Sequence, residues 1–127
     1  MIKQLNHIAI ICTNINQSKY FYCEILGFKI IREHFRAERH SYKVDIAVNS
    51  NYLIELFSFP NPPQRQSYPE ATGLRHLAFS IDNFAETLQN LSDKGIVYEP
   101  VRVDEFTGKK FTFIEDPDQL PIELVEE

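Results

Sequence analysis

Hydrophobic and polar side chains alternate along residues 74 to 81, LRHLAFSI, and the alternation predicts a strand. Leu74, His76, Ala78 and Ser80 share one face, and Arg75, Leu77, Phe79 and Ile81 share the other. The pattern occurs earlier as LNHIAIIC over 5 to 12, which superposes His7 on His76 at an offset of 69. Farther on, YLIELF at 52 to 57 lies over LPIELV at 120 to 125, and Glu55 falls on Glu123 at an offset of 68. Gly27 in LGF and Gly95 in KGI, again 68 apart, each end a helical pattern, as glycine does in a left-handed cap. One duplicated unit of about 65 residues accounts for all three matches.

Each copy reads as strand, helix and three strands. In the first, a strand to Cys12 precedes Asn14 or Asn16 as N-cap and a helix to Leu26, with Phe21, Tyr22, Ile25 and Leu26 on one face. Extended stretches follow over 28 to 35, 42 to 48 and 52 to 59. In the second, the strand at 74 to 81 leads to Asp82 as N-cap and a helix carrying Phe84, Leu88 and Leu91, then to strands over 96 to 103, 109 to 115 and 120 to 126. FPNPPQRQSYPEATG between the copies holds four of the seven prolines, which stiffen an extended connection. The chain therefore reads as one α+β domain, 1–127, made of module 1–59 and module 73–127 joined by a proline-rich linker, 60–72. A helix protects one face of each sheet, and the other face must be covered or must enclose something. Two half-barrels around a cavity are expected, with His76 pointing into enclosed space.

Composition narrows the function. At 127 residues and 43% hydrophobic, the chain can bury an ordinary core without needing a disulfide or metal to fold. Its 13 basic and 18 acidic residues give a formal charge of -5 with no basic stripe, which argues against nucleic acid. Cys12 and Cys23 are too few for a disulfide framework and read as reduced structural thiols. Asn6 and His7 interrupt the only early apolar run, so neither a signal peptide nor a membrane span is expected, and a cytoplasmic protein follows.

The recurring polar residues carry the chemistry. His7 shares its face with Leu5, Ala9 and Ile11; Glu55 with Leu53, Phe57 and Phe59; Glu123 with Pro121 and Val125. A carboxylate taken out of water without a partner costs several kcal/mol or takes up a proton, so two Glu and two His facing inward need compensation. A divalent metal supplies it. Recurrence of the same two residue types in both copies has no explanation as chance core polarity. Two imidazoles and two carboxylates suit zinc, nickel, cobalt, manganese or iron(II), with zinc distances of about 2.0–2.2 Å, and ligand type alone does not choose among them. His34 and His40 have no counterpart in the second copy, lie among mixed charges in REHFRAERH, and read as surface residues.

With NHIAI, FYCEILGF, IELFSF, RHLAFSI and DPDQLPIELVE in place, essentially the whole chain resembles the vicinal oxygen chelate superfamily, and within it the small glyoxalase I-like bacterial proteins. The resemblance implies paired βαβββ modules and one divalent metal per site, zinc or nickel foremost, bound by His7, Glu55, His76 and Glu123. It implies a lyase or isomerase of the lactoylglutathione lyase kind, in which the metal stabilises an enediolate and a carboxylate moves the proton. Glu123 is then the leading base, with Glu55 a fixed ligand or its counterpart on the other face. The substrate is a small 2-oxo or hydroxycarbonyl compound, including thiol hemithioacetals. Ala9, Ile11, Phe57, Phe59 and Ala78 would line its pocket. Bacterial glyoxalase I places an arginine and an asparagine where Ile11 and Phe59 stand, and an apolar wall there argues against glutathione adducts. The family's DPDG turn is DPDQ, ending at Gln119, where glycine would tolerate positive φ more readily. A homodimer is implied by the fold relatives, with the site formed within one chain or across two.

Other readings are an iron(II) extradiol dioxygenase, for which Glu55 is a superfluous ligand, an epimerase, and a metal-free drug-binding resistance protein, against which the intact ligand set argues. A dimer keeping a metal for stability alone is a further one.

Overall fold

The computed structural model describes residues 1–127 and divides into two units, Met1–Gln64 and Arg65–Glu127. In the first, β1 (Ile8–Cys12) leads to α1 (Ile15–Lys19), then β2 (Lys29–Arg36), β3 (Ser41–Val48) and β4 (Asn51–Ser58). The sheet order is β1-β4-β3-β2, with β1 parallel to β4 and the other pairs antiparallel. In the second, β5 (Leu77–Ile81) leads to α2 (Phe84–Asp93), β6 (Arg102–Val103), β7 (Lys110–Glu115) and β8 (Pro121–Glu126). The order is again parallel pair first, β5-β8-β7-β6. Even the register repeats: Ala9 lies opposite Glu55 and Ala78 opposite Glu123. The duplication seen in the sequence is a duplication of topology, and neither four-stranded sheet closes into a barrel. No helix is long and apolar enough to cross a membrane.

Alternation along the strands decides which face is core. Ile10, Cys12, Val44, Ile46, Ile54 and Leu56 are buried in the first unit, together with Phe21 and Tyr22 from the helical segment. Leu77, Ile114, Ile122 and Leu124 play that part in the second, and Phe84, Leu88 and Leu91 form the buried stripe of α2. Each such side chain contributes about 1.5–3 kcal/mol on leaving water. The two glycines at +80° occupy the left-handed position after each helix, where a Cβ would be strained.

Of the two cap candidates, Asn14 caps α1; its Oδ1 accepts from the amides of Asn16 and Gln17 at 3.1 Å. Other local expectations are corrected. The helix does not run regularly to Leu26, because Tyr20–Ile25 widens into a π-helical segment in which the Leu26 amide donates to Phe21. At α2 the cap is Asn83, in the left-handed region at φ 44°, and not Asp82. The stretch 96–101 forms no strand. Pro100 has no amide to donate, and what remains is a Glu99 amide to Phe113 carbonyl bond and the Thr112 hydroxyl donating to the Glu99 carbonyl. Gln119 does adopt positive φ, 66°. Buried Asp116 holds the turn in that shape, accepting from the amides of Asp118 and Leu120 at 2.8 and 2.9 Å.

Replacing Asn14 by Ala removes the acceptor for two helix-end amides, and a loss of about 1 kcal/mol in unfolding free energy is expected from urea titration. Asn16→Ala should leave the midpoint unchanged within error.

Candidate metal centre

The face opposite the core carries the polar set. Three rows cross the first sheet. Ala9, Glu55, Asp45 and Arg32 form one, Ile11, Phe57, Lys43 and His34 the next, and Ser41 and Arg36 continue the third. His7 stands one residue before β1, and its Nε2 is 3.2 Å from Glu55 Oε2. In the second unit His76 Nε2 is likewise 3.2 Å from Glu123 Oε2, with Phe113 opposite Glu123 and edge-on to the imidazole. The four sequence-derived ligands thus come together as two pairs. No group of three or more His, Cys, Asp or Glu side chains is placed to hold a metal ion within the single chain.

Both histidines are part-exposed in the single chain. The His7 and His76 side chains are 37% and 34% exposed. Ala9, Ile11 and Ala78 are exposed too, and Phe57 and Phe59 are half-buried. Helix-side burial takes the alternate positions, so the histidine face is the one each unit leaves uncovered. The cleft that the second unit does outline, by Tyr68, Val97, Tyr98, Phe113 and Pro121, contains none of those five residues. His34 and His40 are exposed, as their surroundings indicated, and no disulfide joins Cys12 to Cys23.

Glu55, 7% exposed, sits directly across from Asp45, 2% exposed. Two adjacent buried carboxylates repel, and the surroundings offset this: Arg32 pairs with Asp45, and Lys43 Nζ lies 3.4 Å from Asp45 and 3.6 Å from Glu55. The Tyr52 hydroxyl donates to Glu55 Oε2 and, at 3.4 Å, to Asp45. Burial, and then the bond to Glu55, push the Tyr52 phenol well above its ordinary range. Glu123 is more open and meets His76 alone among charged groups.

Asn6, Lys43, Asp45 and Tyr52 were not singled out from sequence. Asn6 had a signal in its adjacency to His7. Tyr52 had none, because strict alternation puts it on the face opposite Glu55. A register shift, Ile46 opposite Ile54 but Ala47 opposite Tyr52, leaves one extra residue at Leu53 and brings the phenol round.

The donors suit a cation. The Asn6 side-chain oxygen can only accept, so at 2.7 Å it fixes the proton on His7 Nδ1. The Nε2 lone pair of the neutral ring then faces an anionic oxygen at 3.2 Å, an arrangement that is repulsive unless a proton or a metal lies between them. Two donors on one metal at zinc-like bond lengths are about 2.8–3.6 Å apart for angles between octahedral and tetrahedral. Both pairs fall within that window.

Residues 4–124 match the Glyoxalase/Bleomycin resistance protein/Dioxygenase superfamily. The chain belongs to that superfamily. Within it, this member is 55% identical to the "Uncharacterized protein YwkD" of Bacillus subtilis (strain 168), over 100% of this chain and 99% of the other. The glyoxalase family protein from Enterococcus faecalis, a crystal structure, superposes with a TM-score of 0.89 at 48% identity, covering 98% of both chains. "Lactoylglutathione lyase" of Escherichia coli O157:H7 is 30% identical over 98% of this chain and 93% of its own. Glyoxalase superfamily membership thus accounts for the duplicated sheet.

Tyr52 offers a test of the first pair. Its folded value lies above the ordinary 10.0, so the stability it contributes is intact below that pH and is lost as pH rises through the folded value. An ultraviolet titration should show Tyr52 ionising after an ordinary exposed phenol, and Tyr52→Phe should remove one late step and soften the alkaline loss of stability.

Proposed function

We propose that the chain is a glyoxalase I-like, metal-dependent lyase or isomerase acting on a 2-oxo or hydroxycarbonyl compound, thiol hemithioacetals included. The observation that carries the reading is the equal 3.2 Å separation of imidazole and carboxylate in both copies of the unit. His7, Glu55, His76 and Glu123 would be the four donors to one divalent cation, zinc or nickel foremost, and a homodimer is the assembly that goes with them. Similarity to a lactoylglutathione lyase along nearly the full chain supports the reaction class.

When bound, such a cation acts as a Lewis acid and stabilises negative charge developing on the substrate's oxygens. The protein residues then divide the remaining work. Glu55 is held by His7, Tyr52 and Lys43 and has little freedom, which suits a fixed ligand. Glu123 has His76 as its one charged neighbour and lies next to exposed Ala78, so it is the carboxylate free to reach a substrate carbon. In this account Glu123 removes the proton from the hydroxyl-bearing carbon beside the carbonyl and returns it to the former carbonyl carbon, while the hydroxyl proton passes to the former carbonyl oxygen, leaving the enzyme's charge unchanged over the cycle.

Elemental analysis of the purified protein should find about one divalent cation per four-donor site, and His7→Ala and His76→Ala should each lose it. Glu123→Gln should slow exchange of the proton next to the carbonyl of hydroxyacetone in deuterated water by about 10²–10⁴-fold. Absence of bound metal in the parent protein, or an unchanged exchange rate in Glu123→Gln, would refute the proposal.

A further inference from the structure

The open face of the first sheet carries a second polar feature that the His–Glu pairs do not use. Sequence alone makes Ile11, Phe57 and Phe59 an apolar wall suited to a hydrophobic substrate. The structure lays two guanidinium groups over it. Arg36 is 4.8 Å from the Phe57 ring centre and 5.9 Å from that of Phe59, and Arg39 is 5.3 Å from Phe59. The two rings are stacked, with centres 5.9 Å apart and planes at 14°, so they form one platform.

Neither arginine is neutralised. Arg32 and Lys43, on the same face, are engaged with Asp45 and Glu55, whereas Arg36 and Arg39 have no carboxylate partner. Neighbouring Glu38 is exposed and pairs with neither. Arg36 donates only to the Ser41 hydroxyl, at 3.4 Å, and its Nε is buried without an acceptor. A buried N–H without a partner is unfavourable, which marks a place where an acceptor belongs. A guanidinium lying over an aromatic ring can still present its remaining N–H groups to a two-oxygen anion.

We infer that Arg36 and Arg39, on the Phe57–Phe59 platform, form an oxyanion subsite, so that the substrate is an anion bearing a carboxylate or phosphoryl group. Successive same-face positions on a strand are about 6.6–6.8 Å apart, which puts this subsite one to two rows, roughly 7–13 Å, from Glu55. The substrate's anionic end is therefore separated from its reacting carbonyl by several bonds. The inference rests on the proposed reaction in taking the His7–Glu55 face as the substrate's. The geometry of the arginines does not depend on the metal.

The test uses the full-length protein in excess chelator, with sodium acetate and sodium phosphate as separate probes and sodium chloride as the ionic-strength control. Side-chain Nε–H resonances of Arg36 and Arg39 and ring resonances of Phe57 and Phe59 are followed by NMR. The expected result is a saturable shift with at least one probe, with affinity falling tenfold or more in Arg36→Gln/Arg39→Gln and less in Arg36→Lys, which keeps charge but loses the planar fork. The stronger probe identifies carboxylate or phosphoryl as the preferred group. Shifts no larger than those from chloride, or equal affinity in the parent and Arg36→Lys together with the double variant, would overturn the subsite. Failure of the metal reading shows separately, as a parent protein that binds no cation.

Discussion

A carboxylate buried beside another carboxylate must be surrounded by positive charge or donated protons, and that requirement organises the open face of the first unit. Glu55 and Asp45 lie opposite each other on β4 and β3, both nearly out of reach of water. Arg32, Lys43, Tyr52 and His7 converge on them from β2, β3, β4 and the approach to β1. With Asn6 fixing the His7 Nδ1 proton, the Nε2 and a Glu55 oxygen are left facing one another, a geometry that calls for a proton or a metal between them. The second unit repeats the pair in a plainer setting, without the acidic neighbour and its counter-charges. The two carboxylates are consequently unlike, one held by several groups and one by its histidine alone among charged residues.

Duplication supplies the scaffold for this. In both units the parallel pairing of the first and last strands places an alanine beside the glutamate and a histidine two residues before that alanine. The small alanine side chains leave room above the strand next to each carboxylate. Members of this superfamily include glyoxalases, bleomycin resistance proteins and dioxygenases, so the fold alone does not select a reaction. This chain carries a histidine and a glutamate in each half, and arginines lying on the aromatic platform beside one of those pairs.

Much of this was legible in the sequence because it follows from period-two alternation and from self-similarity. The His7–His76 and Glu55–Glu123 matches, the strand faces and the glycine caps all come from short-range pattern. What escaped depends on register or on the backbone departing from its regular period. The Tyr52 bond to Glu55 needs the extra residue at Leu53, the Tyr20–Ile25 segment winds wider than an α-helix, and 96–101 looks extended yet cannot pair regularly at Pro100. Arg36 and Arg39 read as solvated charges in a mixed-sign stretch. Only the pairing of Ser41 with Arg36, and the reach of both side chains across β3, shows them lying on Phe57 and Phe59. Alternation tells which residues share a side but not whether that side is covered.

The central claim is that four groups from the two copies, His7, Glu55, His76 and Glu123, bind one cation. Crystals grown with zinc or nickel and measured at the metal's absorption edge test it most directly. One anomalous peak per site is expected, bonded to two imidazole nitrogens and to carboxylate oxygens of both glutamates. A peak ligated by other residues, or none at either pair, would contradict it.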